Sequence, residues 1–236
     1  MSNTEARKPQ QAQGYLSQRR MVLSDASPFV LREAYRTLRT NILFALRGSG
    51  CKKFCITSSA AGEGKSIMIL NLAISFSQSG KKVLLIDADL RRPALARLLT
   101  EKATPGLSNI LADLATEDES IRRDVYPNLD VILSGNVPPN PSELLSSERM
   151  QPLIDQMSEQ YDYILVDTPP VTVVSDACIV ASLLDGVLLL VRQGRSRKDA
   201  VKQAVNQLAM TDAKLLGYVL NGVEFNETKY YGYESV

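Results

Sequence analysis

The sequence of 236 residues contains no histidine. This absence excludes a Ser-His-Asp or Cys-His catalytic unit, a histidine general base and every metal site that uses an imidazole ligand. Acid–base chemistry in this chain would have to rest on other groups, above all on carboxylates.

Cysteine is scarce, with only Cys51, Cys55 and Cys178 in the chain. An odd and sparse set of this kind is typical of a reducing compartment rather than of a disulfide framework. Cys51 and Cys55 are four positions apart, but two thiols without a histidine or a second cysteine pair make a poor zinc site. We therefore expect no metal at these cysteines.

Long hydrophobic runs are also missing. The longest apolar stretch, residues 179–191, is interrupted by Ser182 and Asp185 and is shorter than the roughly 18 residues that a membrane-spanning helix needs. The first twenty residues carry charges but no apolar core, so they do not resemble a signal peptide. These features predict a cytoplasmic protein.

Charge of either sign is not in excess, because 27 basic residues balance 26 acidic ones and leave a net charge of +1. Nothing in this balance predicts a nucleic acid as partner. The hydrophobic fraction of 44% and the charged fraction of 22% are ordinary for a soluble globular protein.

Three regions are expected along the chain. Residues 1–27 are rich in Gln, Arg and Ser and predict a flexible N-terminal tail. Residues 28–224 predict one folded domain, and residues 225–236 predict a second tail, rich in tyrosine. Pro28 precedes a helical pattern whose apolar residues share one face: Val30, Ala34, Leu38, Ile42 and Ala45.

Six short apolar runs alternate with helical segments from residue 53 onward: FCITS, VLLIDAD, LDVILSG, YILVDTP, GVLLLV and LLGYVLN. Several of them lack the alternation of a strand with one wet face, as is typical of strands that are buried on both faces. The pattern predicts an α/β fold, with a mainly parallel sheet and helices on both faces.

A phosphate-binding loop is the sharpest motif. An apolar run leads into small residues and then into an amphipathic helix, and the nucleotide-binding residues are predicted to be Gly62, Glu63, Gly64, Lys65, Ser66 and Ile67. Glycines let backbone N–H groups turn toward an anion, while Lys65 reaches the β- and γ-phosphates and Ser66 is placed to bind Mg²⁺. The usual first glycine of the motif is Ser59 here.

Three carboxylates come at the ends of apolar runs. Asp87 and Asp89 end one run and Asp167 ends another. Each could alone be a helix N-cap, but the carboxyl ends of parallel strands are where ligands bind in such folds. Beside a phosphate loop, these residues can supply metal ligands and a carboxylate base, which suffices for phosphoryl transfer without histidine.

These motifs resemble those of the bacterial tyrosine kinase family, the cytoplasmic autokinases of exopolysaccharide and capsule chain-length systems. The resemblance rests on the loop at residues 62–66, on IDADLRRP, on VDTPP and on the distinctive segment SGNVPPNPSELLSSERM at residues 134–150. It covers residues 28–236. It implies a P-loop NTPase fold of the deviant-Walker class, similar to MinD and ParA, and ATP-dependent phosphorylation of tyrosine.

The resemblance also implies roles for single residues. Lys65 and Ser66 belong to Walker A, Asp87 and Asp89 to Walker A′, and Asp167 to Walker B. Asp87 would be the base that takes the proton of the tyrosine hydroxyl, while Ser66, Asp89 and Asp167 would hold Mg²⁺; the roles of Asp87 and Asp89 could be exchanged. Asn221 is placed like residues that contact adenine, although an Asn-Gly pair is also a common turn.

Further implications concern assembly and partners. Glu33, Arg36 and Arg39 match an oligomerisation helix and imply a homo-oligomeric ring, although such a charged stripe is by default a solvated helix face. The acceptors would be three tyrosines near the C-terminus: Tyr230, Tyr231 and Tyr233. The implied partners are a membrane chain-length protein that activates the kinase and holds it at the inner face of the membrane, other protein tyrosine substrates and a cognate phosphatase.

The main alternative is a positioning or partitioning ATPase of the same fold. Those proteins carry a signature lysine five residues before the P-loop lysine, and this chain has Ala60 at that position. A non-catalytic nucleotide-binding scaffold is a third possibility. It would predict a damaged set of aspartates, whereas Asp87, Asp89 and Asp167 are all present.

Overall fold

The computed structural model describes residues 21–46, 48 and 50–223. Within them, the strands are β1 Lys52–Ser58, β2 Val83–Asp87, β3 Ile121–Tyr126, β4 Leu129–Ile132, β5 Tyr163–Asp167, β6 Gly186–Arg192 and β7 Leu215–Asn221. The helices are α1 Phe29–Ala45, α2 Lys65–Ser77, α3 Leu95–Leu99, α4 Leu107–Leu111, α5 Glu117–Ser120, α6 Pro141–Leu145, α7 Met150–Ser158, α8 Asp176–Ala181 and α9 Lys198–Leu208. The acceptor tyrosines predicted at 230, 231 and 233 lie outside the described residues.

The seven strands form one sheet in the order β3-β4-β2-β5-β1-β6-β7. Every neighbouring pair is parallel except β3 and β4. The predicted mainly parallel sheet is therefore confirmed, with one addition. The edge strand β3 was not predicted, because its sequence IRRDVY is charged and its pairing with β4 shifts register between Arg122 and Tyr126.

The core lies on both faces of the sheet, because alternate side chains of a strand point to opposite faces. In β1, Cys55 packs into the hydrophobic cluster with α7, α8 and α9. Phe54 and Ile56 pack into the cluster on the other face, with α1 and α2. The middle strands β2 and β5 are buried along their whole length, which explains why their sequences do not alternate.

The segment before α1 lies against the domain rather than apart from it. Leu23 is buried with 2% of its surface exposed, and its backbone N–H donates to Asn71 Oδ1 at 2.7 Å. Asn71, in α2, also donates to the carbonyl of Met21 and to the hydroxyl of Tyr35 in α1. Residues 21–23 thus belong to the packed body, although the sequence placed them in a flexible tail.

None of the helices in the described ranges is long and apolar enough to cross a membrane.

Candidate active site

The phosphate loop connects β1 to α2 in the conformation that its glycines predict. Gly62 has φ 76° and Gly64 has φ 102°, both in the left-handed region that side chains rarely adopt. A Cβ at Gly64 would also lie only 2.5 Å from Asn221 Nδ2. Lys65 is the first residue of α2, so the helix N-terminus faces the loop and favours an anion there.

Ser59 replaces the usual first glycine without strain, because its φ is not positive. Its N–H and hydroxyl donate to the two carboxylate oxygens of Glu63 at 3.1 and 3.0 Å. Glu63 is fully buried and accepts a third hydrogen bond, at 2.5 Å, from the hydroxyl of Ser196. Ser59 thus holds the loop in place through hydrogen bonds to Glu63, whereas a glycine at this position would contribute only its backbone freedom.

Two further contacts hold the loop from outside. Arg192, at the end of β6, donates to the carbonyl of Gly62 at 3.2 Å. Asn221, at the end of β7, donates to the carbonyl of Glu63 at 2.9 Å. The predicted nucleotide residue Asn221 therefore lies at the phosphate loop, and the ends of two neighbouring strands fix the loop in place.

The three predicted aspartates lie along the carboxyl edge of the sheet. Asp87 and Asp167 are register partners on the adjacent strands β2 and β5, and the N–H of Ala88 donates to the carbonyl of Asp167. Asp87 and Asp167 are fully buried, and Asp89 is 7% exposed. The structure thus brings together carboxylates that are 80 residues apart in the chain.

Asp167 is a buried carboxylate whose two oxygens have no hydrogen-bond partner among the described residues. Burial raises its pKa to about 6, although the charge of Lys65 and the hydroxyl of Ser66, which lies nearby without reaching hydrogen-bond geometry, act in the opposite direction. Unpartnered buried polar atoms are rare in proteins and call for an explanation. A cation or a cation-bound water at this place would supply the missing partner.

Asp87 is held differently. Its oxygens accept from the backbone N–H groups of Asp89 and Leu95, both at 3.3 Å. Burial is the largest cause that raises its pKa well above the ordinary value, followed by the negative charges of Asp167 and Asp89. A raised pKa makes a carboxylate a stronger base, so Asp87 has the electrostatic setting that a proton acceptor needs.

The carboxylates at this edge could bind Mg²⁺ only if a nucleotide supplied further oxygen ligands. In the described part of the chain, no three carboxylate or thiol side chains converge closely enough to bind a metal by themselves. Protein-bound Mg²⁺ usually takes one or two carboxylates and completes its shell with water and substrate phosphates. The unpartnered Asp167 behind the phosphate loop matches that pattern.

We expect Asp167→Asn to stabilise the nucleotide-free protein at neutral pH. The folded-state pKa of about 6 lies above the ordinary 3.8, so Asp167 destabilises the fold increasingly as pH rises from about 3.8 to about 6 and constantly above that. Removing the charge should add about 3 kcal/mol at pH 7.5, or roughly 6–12 °C in Tm, and less than about 1 kcal/mol at pH 4. Calorimetry at both pH values tests this, with the exposed Asp212→Asn as control. An equal gain at both pH values would contradict it.

One cluster at this edge was not predicted from the sequence. Arg91 forms a two-pronged ion pair with the fully buried Asp176, from Nε at 2.8 Å and from Nη2 at 3.1 Å. Ser142 donates to Asp176 Oδ1 at 2.7 Å and accepts from Arg91 Nη2 at 2.8 Å. Arg91 belongs to the motif IDADLRRP and Ser142 to the distinctive segment 134–150, but neither motif indicated that the two residues meet at Asp176.

The predicted oligomerisation residues lie on α1. Glu33 and Arg36 form an exposed ion pair with each other, with N···O 2.5 Å. Arg39 instead donates to the carbonyl of Ser75 in α2. Arg39 thus holds α1 against the helix that begins at the phosphate loop, while Arg36 and Glu33 remain at the surface.

Comparison with known proteins agrees with this geometry. A family model described as an AAA domain matches residues 51–214. The tyrosine-protein kinase YwqD of Bacillus subtilis (strain 168) is 40% identical over 220 residues, which cover 93% of each chain. The kinase domain of the Escherichia coli tyrosine kinase ETK matches with a TM-score of 0.79 and 38% identity, over 82% of this chain and 76% of that one.

Two other solved structures define how far the likeness extends. The chimerical protein CapA2B2 matches with a TM-score of 0.80 and 37% identity, over 85% of this chain and 87% of that one. The cell division ATPase MinD of Pyrococcus furiosus is 24% identical with a TM-score of 0.61, over 72% and 71% of the two chains, and this likeness shows the fold alone. With its phosphate loop, its strand-end aspartates and its high identity to YwqD over nearly the whole length, the chain belongs to the bacterial tyrosine-protein kinase family.

Proposed function

We propose that this kinase is an ATP-dependent autokinase of an exopolysaccharide or capsule system, which phosphorylates its own C-terminal tyrosines between subunits. The observation that carries the proposal is the unpartnered, buried Asp167 beside Asp87 at the mouth of the phosphate loop. In this proposal, a cation bound by Asp167 and a proton acceptor at Asp87 would both lie next to the γ-phosphate.

In this proposal the phosphate loop binds ATP. The backbone N–H groups of residues 62–67 face the phosphates, and the charge of Lys65 offsets their negative charge. Asn221 already contacts the loop and is the proposed adenine contact. The hydroxyl of Ser66, with Asp89 and Asp167, would hold Mg²⁺, which when bound neutralises charge on the phosphate oxygens.

The proposed chemical step uses Asp87 as the base. The acceptor tyrosine hydroxyl gives its proton to Asp87, and its oxygen forms a bond to the γ-phosphorus. The bond between that phosphorus and the bridging oxygen breaks, and ADP leaves with that oxygen. Burial and the neighbouring carboxylates, which raise the pKa of Asp87, favour the proton transfer.

The test of transfer between subunits uses two complementary variants. Lys65→Met keeps the tyrosines but lacks the phosphate-binding charge, whereas the triple Phe variant of Tyr230, Tyr231 and Tyr233 keeps the active site but lacks the acceptors. We expect each variant alone to lose most of its autophosphorylation. A mixture of the two should place phosphotyrosine on the tail of the Lys65→Met chain, as mapped by mass spectrometry.

A control mixture replaces the triple Phe variant with one that also carries Lys65→Met, and it should give no label. Dominant phosphorylation at Tyr35, Tyr126 or Tyr218, with normal labelling of the triple Phe variant, would contradict the tail as acceptor. Label confined to wild-type chains, with none in the complementing mixture, would contradict transfer between subunits.

Assembly into a ring through α1 would present each tail to a neighbouring active site, because a head-to-tail contact that closes gives a ring. We expect Arg36→Glu to convert the ring to monomers in sedimentation with the activator's cytoplasmic segment, since Arg36 is exposed and its ion pair among the described residues is with Glu33 of the same helix. Lys202→Glu, an exposed change on α9, is the matched control. Wild-type protein that stays monomeric under these conditions would overturn the ring.

The remaining parts of the proposal follow from the sequence resemblance. A membrane chain-length protein would activate the kinase and hold it at the cytoplasmic face of the membrane, and a phosphatase would reverse the reaction. Phosphates on the tail add roughly two negative charges each. Near the carboxylates of the site, these charges would repel the tail and loosen the ring.

A further inference from the structure

Two arginines follow closely after the proposed site aspartates Asp87 and Asp89, yet the side chain of neither arginine forms an ion pair with them among the described residues. Arg91 and Arg92 come two and three residues after Asp89. Among the described residues, no ion pair joins a cation to Asp87, Asp89 or Asp167. Since an arginine readily binds a nearby carboxylate, something must direct the Arg91 side chain elsewhere.

Asp176 and Ser142 hold the Arg91 side chain in this other position. Asp176 is fully buried and takes both Nε and Nη2 of Arg91, and Ser142 bonds to both members of the pair. Two parallel hydrogen bonds fix the plane of the guanidinium as well as its position. The three residues come from three segments, which follow β2, β4 and β5.

Arg91 is nevertheless attached close to the site. It follows Asp89 by two residues, and the backbone N–H of the next residue, Arg92, donates to Asp89 Oδ1 at 3.0 Å. A guanidinium released from Asp176 would be free to turn toward Asp89 and offset its charge. It would then compete with a cation for that carboxylate.

We propose that Asp176 and Ser142 are positioning residues that hold Arg91 away from the carboxylates that bind Mg²⁺. This inference rests on the proposed magnesium site. It gives a role to the distinctive segment 134–150, because Ser142 of that segment completes the clamp. Asp89 and Asp167 then remain available to the metal, although two arginines lie close to Asp89 in the chain.

The experiment measures binding rather than turnover. A fluorescent ADP analogue is titrated into the purified full chain at a series of Mg²⁺ concentrations, which gives the Mg²⁺ concentration for half-maximal enhancement of binding. Asp176→Asn removes the charge and one of the two acceptors. It should raise this concentration about tenfold, while affinity for the analogue in EDTA stays as in the wild type.

The decisive variant is the double change Asp176→Asn with Arg91→Gln. If Arg91 is the competitor, removing it should return the Mg²⁺ requirement to within about threefold of the wild type. Ser142→Ala should also raise the Mg²⁺ requirement, but by a smaller factor than Asp176→Asn. Adding Arg91→Gln to Ser142→Ala should remove this increase as well. Asp118→Asn, which breaks the surface ion pair with Arg123, should change nothing.

Three results would overturn the assignment. A double variant as impaired as Asp176→Asn would show that the clamp only supports the fold, and an unchanged Mg²⁺ requirement in Asp176→Asn would show that Arg91 does not compete. If Asp176→Asn fails to fold, the same test is made by comparing Ser142→Ala alone with Ser142→Ala combined with Arg91→Gln. Wild-type binding that does not depend on Mg²⁺ would overturn the magnesium site itself and this assignment with it.

Discussion

Lys65→Met should lower the rate of autophosphorylation by about 10²–10³-fold, the range seen when one donor that stabilises transition-state charge is removed. Lys65 is the first residue of α2, is 7% exposed and lies close enough to Asp167 to lower its pKa. Methionine matches the length of the aliphatic stem, so packing is kept while the charge at the phosphates is lost. Phosphotyrosine is quantified by mass spectrometry after incubation with Mg·ATP.

The control for this prediction is Lys198→Met, which changes the exposed first residue of another helix, α9, and should leave the rate unchanged. The Tm of Lys65→Met should stay within a few degrees of the wild type. Labelling of Lys65→Met at the wild-type rate would show that this loop does not bind the phosphates that react.

Asp87→Asn should nearly abolish turnover while nucleotide binding changes much less. The amide has about the same size as the carboxylate, but it cannot accept the proton of a tyrosine hydroxyl. Loss of a general base costs typically about 10²–10⁴-fold. Turnover is measured at saturating ATP, and the dissociation constant of a fluorescent ADP analogue is measured with Mg²⁺ present.

Asp89→Asn is the matched comparison, because Asp87 and Asp89 are the two candidates for the base. We expect Asp89→Asn to weaken binding of the Mg²⁺ complex more than it lowers turnover at saturation. The reverse result would exchange the two roles. A normal rate for Asp87→Asn at saturating ATP, with a large loss of affinity, would make Asp87 a binding group only.

Local motifs explain which parts of the site could be predicted. The phosphate loop needs a strand, glycines with positive φ and a helix start within a few residues. All of these are encoded in one short stretch of sequence, so the loop could be predicted from the sequence alone. Asp87 and Asp167 each end a buried apolar run, and parallel strands bring such ends to one edge of the sheet. The structure adds that they are register partners.

Features that depend on distant segments could not be read in the same way. Arg91 is 51 residues from Ser142 and 85 from Asp176, and Asp176, just after Ser175, looks in sequence like an ordinary residue at a helix start. Likewise, the sequence predicted Glu63 only as part of the nucleotide-binding loop, whereas the structure shows that Ser196, 133 residues away, donates a hydrogen bond to its carboxylate. Such contacts follow from the fold and not from local patterns.

The amphipathic pattern of α1 was only partly informative. Ile42 is buried as predicted, but Ala34 is exposed and the neighbouring Tyr35 is buried instead. Tyr35 takes that place because its hydroxyl accepts from Asn71 of α2, a polar partner that hydrophobic spacing does not reveal. Leu23 escaped notice for a similar reason, since its backbone is held by the same asparagine.

The central claim is that the γ-phosphoryl group of ATP is transferred to tyrosine of this chain rather than to water. The most direct measurement follows γ-labelled ATP with Mg²⁺, with and without the activator's cytoplasmic segment, and counts label in protein phosphotyrosine against label in free phosphate. We predict that label accumulates on Tyr230, Tyr231 and Tyr233 in wild-type protein and is absent in Lys65→Met. Steady release of free phosphate with no phosphotyrosine on the chain would contradict the account and would indicate a positioning or partitioning ATPase instead.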